Sequence, residues 1–283
     1  MRRFKPFLIV TVCLLLVAGT AASAWLAYDA RQQASKTKDD VAALSANIAA
    51  VQSAIDNFST LPSQVGGLPK SDSYCAANVT TSTWEPRPDN YTANHTIPSS
   101  LSLIPWGSEM NYWVRWTANR SLVTGDYGGT TNQIIQWAAC KWGLDENLLR
   151  AVAVQESDWH ESMVGDICGP VGEASYGLFQ IKNKYCNGSW AWGGYDYSAK
   201  HSAFNADFYA AYIRSCLDND FYDGGSWLYG GRTIAQIIST NGFDYALWGC
   251  VGSWFSGSWY DSGARNYISS VQNHLANKDW LKY

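Results

Sequence analysis

The stretch Leu144-Asp145-Glu146-Asn147-Leu148-Leu149-Arg150-Ala151-Val152-Ala153-Val154-Gln155-Glu156-Ser157 constrains this chain more than any other. A turn at Trp142-Gly143 and acidic residues suited to a helix N-terminus lead into strong helix formers, which predicts a helix. Leu148, Val152 and Glu156 lie four residues apart and share one face, so the Glu156 carboxylate falls at the edge of the buried stripe. Desolvation there disfavours the anion and keeps a proton available near neutral pH. Taken alone, Glu156 reads rather as a surface charge at a helix C-terminus, the unfavourable end of the dipole. After a loop of disulfide size comes Ser175-Tyr176-Gly177-Leu178-Phe179-Gln180-Ile181, a small-residue turn opposite that helix end.

Together these segments resemble the soluble lytic transglycosylase (SLT) domain of the lysozyme-like superfamily. That family has a Gly-Leu-Asp lead-in, an apolar helix ending in Glu-Ser, and a Gly-Leu-Met/Phe-Gln-Ile run. Gly143-Leu144-Asp145, Glu156-Ser157 and Gly177-Leu178-Phe179-Gln180-Ile181 match it in type, order and approximate spacing. The resemblance covers roughly the last 155 residues, about one domain. It implies a general acid/base at Glu156 and a structural partner at Ser157. Ser175 would bond near the catalytic carboxyl or a substrate N-acetyl group, and Phe179 and Gln180 would line a sugar cleft. For Phe179 the alternative is core packing, and for Gln180 the satisfaction of buried backbone groups. The family's later Ala-Tyr-Asn-Ala-Gly segment is replaced by Trp248-Gly249-Cys250-Val251-Gly252, without the Tyr-Asn pair. Arg265-Asn266-Tyr267-Ile268-Ser269-Ser270-Val271 resembles the closing helix, although the family's preceding Glu is missing. Tyr267 is the candidate orienting hydroxyl, with a packed core tyrosine as the alternative.

The resemblance also implies a chemistry. A hydrolase that delivers water usually needs a second carboxylate at a defined separation from the acid. Asp158, Glu161, Asp166 and Glu173 are near in sequence, but each is expected to be solvated loop charge, and Lys182 stands where a goose-type lysozyme carries Asp. A single Glu suffices for a lytic transglycosylase acting on peptidoglycan, because the substrate's N-acetyl group can stabilise the charge developing at C1. The product would carry 1,6-anhydro-muramoyl ends. A hydrolytic lysozyme and a catalytically silent glycan-binding scaffold are the alternatives. No metal or cofactor is expected.

Aromatic residues make up 14% of the chain against 16% charged, and flat aromatic faces suit stacking on sugar rings. Trp190, Trp192, Tyr195 and Tyr197 lie in a Gly-rich loop after the motif, as a cleft wall or as core. The net charge of −4 argues against a nucleic-acid partner, which needs a basic surface.

At the N-terminus Arg2, Arg3 and Lys5 precede twenty-two uncharged residues, Phe7 to Tyr28, long enough to cross a bilayer as a helix. The basic flank stays inside and the remainder lies outside the membrane. A cleaved signal peptide is the alternative, with Ala22-Ser23-Ala24 as the cleavage site. Val41, Leu44, Ile48, Val51, Ile55 and Phe58 form a short heptad seam, expected as a helical stalk through which a second copy can associate, or as a helix packed on the catalytic domain. Pro62, Gly66, Gly67 and Pro69 mark a linker. The sequence thus divides into a tail (1–6), an anchor (7–28), a stalk (29–60), a linker with an irregular extension (61–125) and a catalytic domain (126–283). The extension is either packed along the catalytic domain or a small accessory region. Its Tyr112, Trp113 and Trp116 are an anchor to the core or a sugar platform. Asn-x-Ser/Thr sequons, among them those at Asn78, Asn90, Asn94, Asn119 and Asn187, matter only in a eukaryotic secretory route.

Beyond Cys13 in the apolar segment, six cysteines form an even set suited to three disulfides in an oxidising compartment. The expected pairs are Cys168–Cys186, Cys216–Cys250 and Cys75–Cys140, out of fifteen possible connectivities. Zinc is disfavoured because no Cys-x-x-Cys occurs. Helices are expected near 131–142, 146–157, 203–217, 233–240 and 263–276. The intervening loop, rich in Gly and Tyr, is irregular or holds a small hairpin. The expected fold is mainly α, a lysozyme-like catalytic domain behind a transmembrane helix and helical stalk.

Overall fold

The computed structural model describes residues 33–34, 36–38, 41, 68–98, 119–169, 174–182, 195–219 and 230–283. The anchor (7–28), nearly all of the stalk, the aromatics at 112, 113, 116, 190 and 192, the side chain of Tyr195, and Glu173 lie outside them. The chain divides into Met1–Ser53 and Ala54–Tyr283. Among the described residues no helix is long and apolar enough to cross a membrane.

The second unit is mainly helical. Its elements are α1 (Asp72–Asn78), α2 (Tyr91–Asn94), α3 (Thr131–Trp142), α4 (Glu146–Ser157), α5 (Tyr195–Ser198), α6 (Ser202–Asp218), α7 (Ile234–Asn241), α8 (Phe243–Ser256) and α9 (Ser262–Asn277). Short antiparallel strands β1 (Val164–Gly165), β2 (Ser175–Tyr176) and β3 (Ile181–Lys182) pair in the order β1-β2-β3.

Local signals set the ends of α3 and α4. A capping box between Thr130 and Gln133 starts α3, and Gly143 stops it in the left-handed conformation at φ 64°. Asp145 then accepts from the backbone N–H groups of Asn147 and Leu148 to start α4. Helix α6 is buried almost all round, with Phe204, Phe208, Tyr209, Tyr212 and Ile213 inaccessible, and it packs on α3 and α8. Helix α9 packs on α4 and α8.

The helix α8 departs from the expectation, which treated Trp248–Gly252 as a motif segment and placed no helix there. Its glycines lower helix propensity but serve packing. A Cβ on Gly249 would stand 2.5 Å from the Trp259 ring, and one on Gly252 would meet Ile268 of α9 at 2.8 Å. Close approach of α9 to α8 decides the residue type, and tertiary packing supplies the helix.

The described parts of the extension, 68–98 and 119–125, pack along the helices that follow. The Cys75–Cys140 disulfide joins α1 to α3, and Cys216–Cys250 joins α6 to α8, both as expected. Cys168 is also disulfide-bonded, to a partner outside the described residues. Glu85 accepts from the Thr131 N–H at 2.6 Å and from the Asn94 amide at 2.9 Å. Asn90 donates to the Trp159 carbonyl at 2.7 Å and accepts from the Glu161 N–H at 2.8 Å. Two of the sequon asparagines, Asn90 and Asn94, are therefore buried structural amides with no room for a glycan.

Beneath this seam Asp207 is wholly buried. It accepts from Lys141 Nζ at 2.8 Å, from the Trp142 indole at 2.5 Å, and from the backbone N–H groups of Thr124 at 2.7 Å and Gly125 at 3.0 Å. Lys141 reaches on to Asp72 of α1 at 2.7 Å. A buried charge is tolerable only when paired and hydrogen-bonded in this way.

Candidate active site

Glu156 occupies the last turn of α4, where the chain leaves the helix through two left-handed residues, Asp158 (φ 49°) and Trp159 (φ 66°). Ser157 donates to the Leu178 carbonyl at 2.9 Å, tying the helix end to the turn that follows β2. Buried side chains hold that turn by its backbone. Glu161 accepts from the Leu178 N–H at 3.1 Å and Asn205 accepts from the Phe179 N–H at 2.7 Å. The Asn205 amide also donates to the carbonyls of Tyr176 and Ser198.

Gly177 is required at the centre of this clasp. Its φ is +81°, and a Cβ would stand 2.1 Å from Asn205 Nδ2 and 2.6 Å from the Ser198 carbonyl. Gly177→Ala is expected to cost about 2–3 kcal/mol through left-handed strain and overpacking. Thermal unfolding of the variant checks this, and a melting temperature equal to the parent's would remove the steric reason for the motif glycine.

Three aromatic residues from three other helices close around Glu156. Tyr267 of α9 donates its hydroxyl to Glu156 Oε1, and Trp254 of α8 donates its indole N–H to the same carboxyl. Burial raises the pKa of Tyr209 of α6 well above its usual value, the nearby Glu156 charge adds to the rise, and its ring packs edge-on against Trp254 at 5.0 Å. Gln155 and Ser270 bond beside this contact and fix the approach of α9 to α4. Burial is the main cause that raises the Glu156 pKa to about 8, with the Tyr267 and Trp254 bonds opposing it and the nearby Asp166 charge adding to it. The residue still keeps partial contact with solvent. At pH 7 it is therefore a neutral acid that an incoming molecule can reach.

The other expected site residues fall in different places. Ser175 is buried and donates to Asp166 Oδ2 at 3.4 Å rather than to Glu156. Phe179, expected to line the cleft, is 0% exposed, with its ring stacked on Tyr209 at 4.6 Å. It belongs to the core beneath the site. Gln180 (φ 51°) folds back to donate through Nε2 to the carbonyls of Met163 and Gly177, so it clasps two loops and satisfies backbone. Tyr197, named as a cleft wall or core, packs on Phe204 and the core.

Of the neighbouring acids, Glu161 departs from solvated loop charge, whereas Asp166 is exposed as expected. Glu161 is 3% exposed, and burial raises its pKa well above the usual carboxylate value. Asp166 bonds Lys182 at 3.0 Å and sits on the rim, where its charge reaches Glu156. Sequence reading missed Trp254 and Tyr209 entirely. It also missed Phe255, which is 61% exposed and stacks on Tyr267 at 5.2 Å, presenting a flat face beside the acid. The available signal was the aromatic cluster Trp254-Phe255 in a segment whose glycines hid the helix.

A neutral carboxyl in an apolar box, oriented by a phenol and an indole, can protonate a leaving oxygen and then serve as a base once it has ionised. No curated protein and no solved structure matches the chain. Residues 133–217, the segment that holds Glu156, its helix and the Gly177 turn, match the family model described as Transglycosylase SLT domain, and in this segment the chain is similar to that domain.

Proposed function

We propose that this chain is a peptidoglycan lytic transglycosylase. It cleaves the β-1,4 bond between N-acetylmuramic acid and N-acetylglucosamine and leaves 1,6-anhydro-muramoyl ends. One observation carries the reading: a carboxyl kept neutral up to about 8 and held by Tyr267, within a segment similar to the Transglycosylase SLT domain.

Glu156 gives its proton to the glycosidic oxygen as the C1–O bond breaks, while the substrate's own N-acetyl carbonyl stabilises C1. The new carboxylate, supported by Tyr267 and Trp254, then takes the proton from the C6 hydroxyl as that oxygen bonds to C1. The proton returns to its starting place and no water is consumed. Phe255 is positioned to stack on a sugar ring beside the acid.

Asp166 favours a second reading, hydrolysis. A hydrolase uses a second carboxylate to handle water, and Asp166 is near enough to perturb Glu156. Mass spectrometry of muropeptides released from cell wall separates the two. Anhydro-muramoyl ends are expected from the parent and persist in Asp166→Asn if the proposal holds. Reducing ends in the parent, lost in Asp166→Asn, would make the protein a lysozyme, and binding without release would make it a scaffold.

The site of action in this reading is outside the cytoplasm, at a wall held close by the N-terminal segment as an anchor. The disulfides support an oxidising compartment. Residues 7–28 serve equally as a signal peptide if cleaved, and the stalk offers a surface for self-association.

A further inference from the structure

A pocket lies toward the N-terminal end of α4. It encloses about 330 Å³ and is lined by Trp84, Asn132, Asn147, Arg150, Lys278, Trp280 and Leu281. Arg150 precedes Glu156 by six residues, which places it about 9 Å away along the helix axis and about 120° around it. The pocket therefore opens on a different face from the acid.

Its polar groups are arranged with one polarity. Arg150 is 8% exposed and donates through Nε to Asn132 Oδ1 at 2.8 Å and through Nη1 to Asn147 Oδ1 at 2.6 Å and Glu146 Oε1 at 3.0 Å. Because a guanidinium can only donate, both amide oxygens are committed to it, and both asparagine NH₂ groups are left as donors. Arg150 Nη2 has no partner among the described residues, and the exposed Lys278 ammonium forms no ion pair among them. Glu146 holds Nη1 from outside the lining. Among the polar side chains of the lining, the groups left over are donors, two of them cationic, beside the apolar faces of Trp84 and Leu281. A ligand for such a pocket must bring acceptor oxygens, best of all a planar carboxylate, on a body with an apolar side.

We propose that this pocket is an accessory binding site for a carboxylate-bearing group, such as the free carboxyl at the end of a wall peptide carried on a muramoyl sugar. The choice of that carrier rests on the peptidoglycan reading above; the donor-only chemistry does not. The site grips a substituent of the polymer while the acid works on the glycan, so the two ends of α4 read different parts of one strand.

Isothermal titration of the intact protein with a disaccharide-dipeptide ending in a free carboxylate tests this without relying on turnover. Binding is expected to weaken about tenfold when that carboxylate is amidated, and by a similar factor in Lys278→Gln and in Arg150→Gln. Binding should persist in Glu156→Gln. Lys278 is exposed, so its variant keeps the test valid if Arg150→Gln fails to fold. Equal affinity for the free and amidated compounds, an unchanged affinity in Lys278→Gln, or displacement by acetate at the same concentration would each overturn the proposal. Failure of the transglycosylase reading shows separately, in the muropeptide products.

Discussion

Glu156→Gln is expected to lower the rate of glycan cleavage by about a thousandfold or more, since the same group acts as acid and then as base. Gln keeps the shape and can still accept from Tyr267, so binding of wall glycan should survive while turnover disappears. A second signature comes from pH. The acid must be protonated to begin the reaction, so the parent's rate should hold through neutral pH and fall above about 8. Stability follows the same titration. The folded pKa of Glu156 lies near 8 and the unfolded one near about 4.3. Between those values the folded chain holds a proton that the unfolded chain has released, so the parent loses stability as pH rises through the window. The loss is on the order of a few kcal/mol. Gln has no proton to lose, so the variant should melt at a similar temperature near pH 4 and at a higher one than the parent near pH 9. An active variant would end the assignment of Glu156, and parallel stability profiles would mean that the carboxyl is not desolvated.

Asp207→Ala should be among the most destabilising single changes in the domain, at about 3–5 kcal/mol. It leaves the Lys141 ammonium, which is 2% exposed, with Asp72 as its one remaining carboxylate among the described residues, and frees the Trp142 indole and the amides of Thr124 and Gly125 in the same buried space. The melting temperature should fall by about 6–20 °C for a domain of this size. Lys141→Met in the same chain should recover part of the loss by removing a buried charge that has lost its buried partner. Proteolysis near residues 123–126 should rise in the single variant, because that segment is held down by Asp207. A melting point within about 2 °C of the parent's would show that water reaches Lys141 and that the network is not buried.

The parts of this architecture that were legible in the sequence are those with local causes. Thr130 with Gln133, Gly143 and Asp145 are caps, and they place α3 and α4 because each acts within one turn of its own helix. The motif glycine at 177 could be singled out, but the reason for it could not, since Asn205 lies on another helix. Helix α8 was hidden because Gly249 and Gly252 answer to Trp259 and Ile268, which are distant contacts with no local mark. Glu161 stood among polar loop residues and read as solvated. Its burial depends on Asn90 and the Leu178 amide, brought from opposite directions in the chain. Phe179 shows the converse. Its place in a family motif suggested contact with a sugar, whereas its ring supports Tyr209 from below.

Both donors that grip the acid, Trp254 and Tyr267, come from helices beyond residue 217, whereas the acid and its turn lie before it. Proton affinity and catalytic geometry are thus encoded in separate stretches of the gene. Substitutions at 254 or 267 can move the working pH of the enzyme without disturbing the helix and clasp that aim the carboxyl.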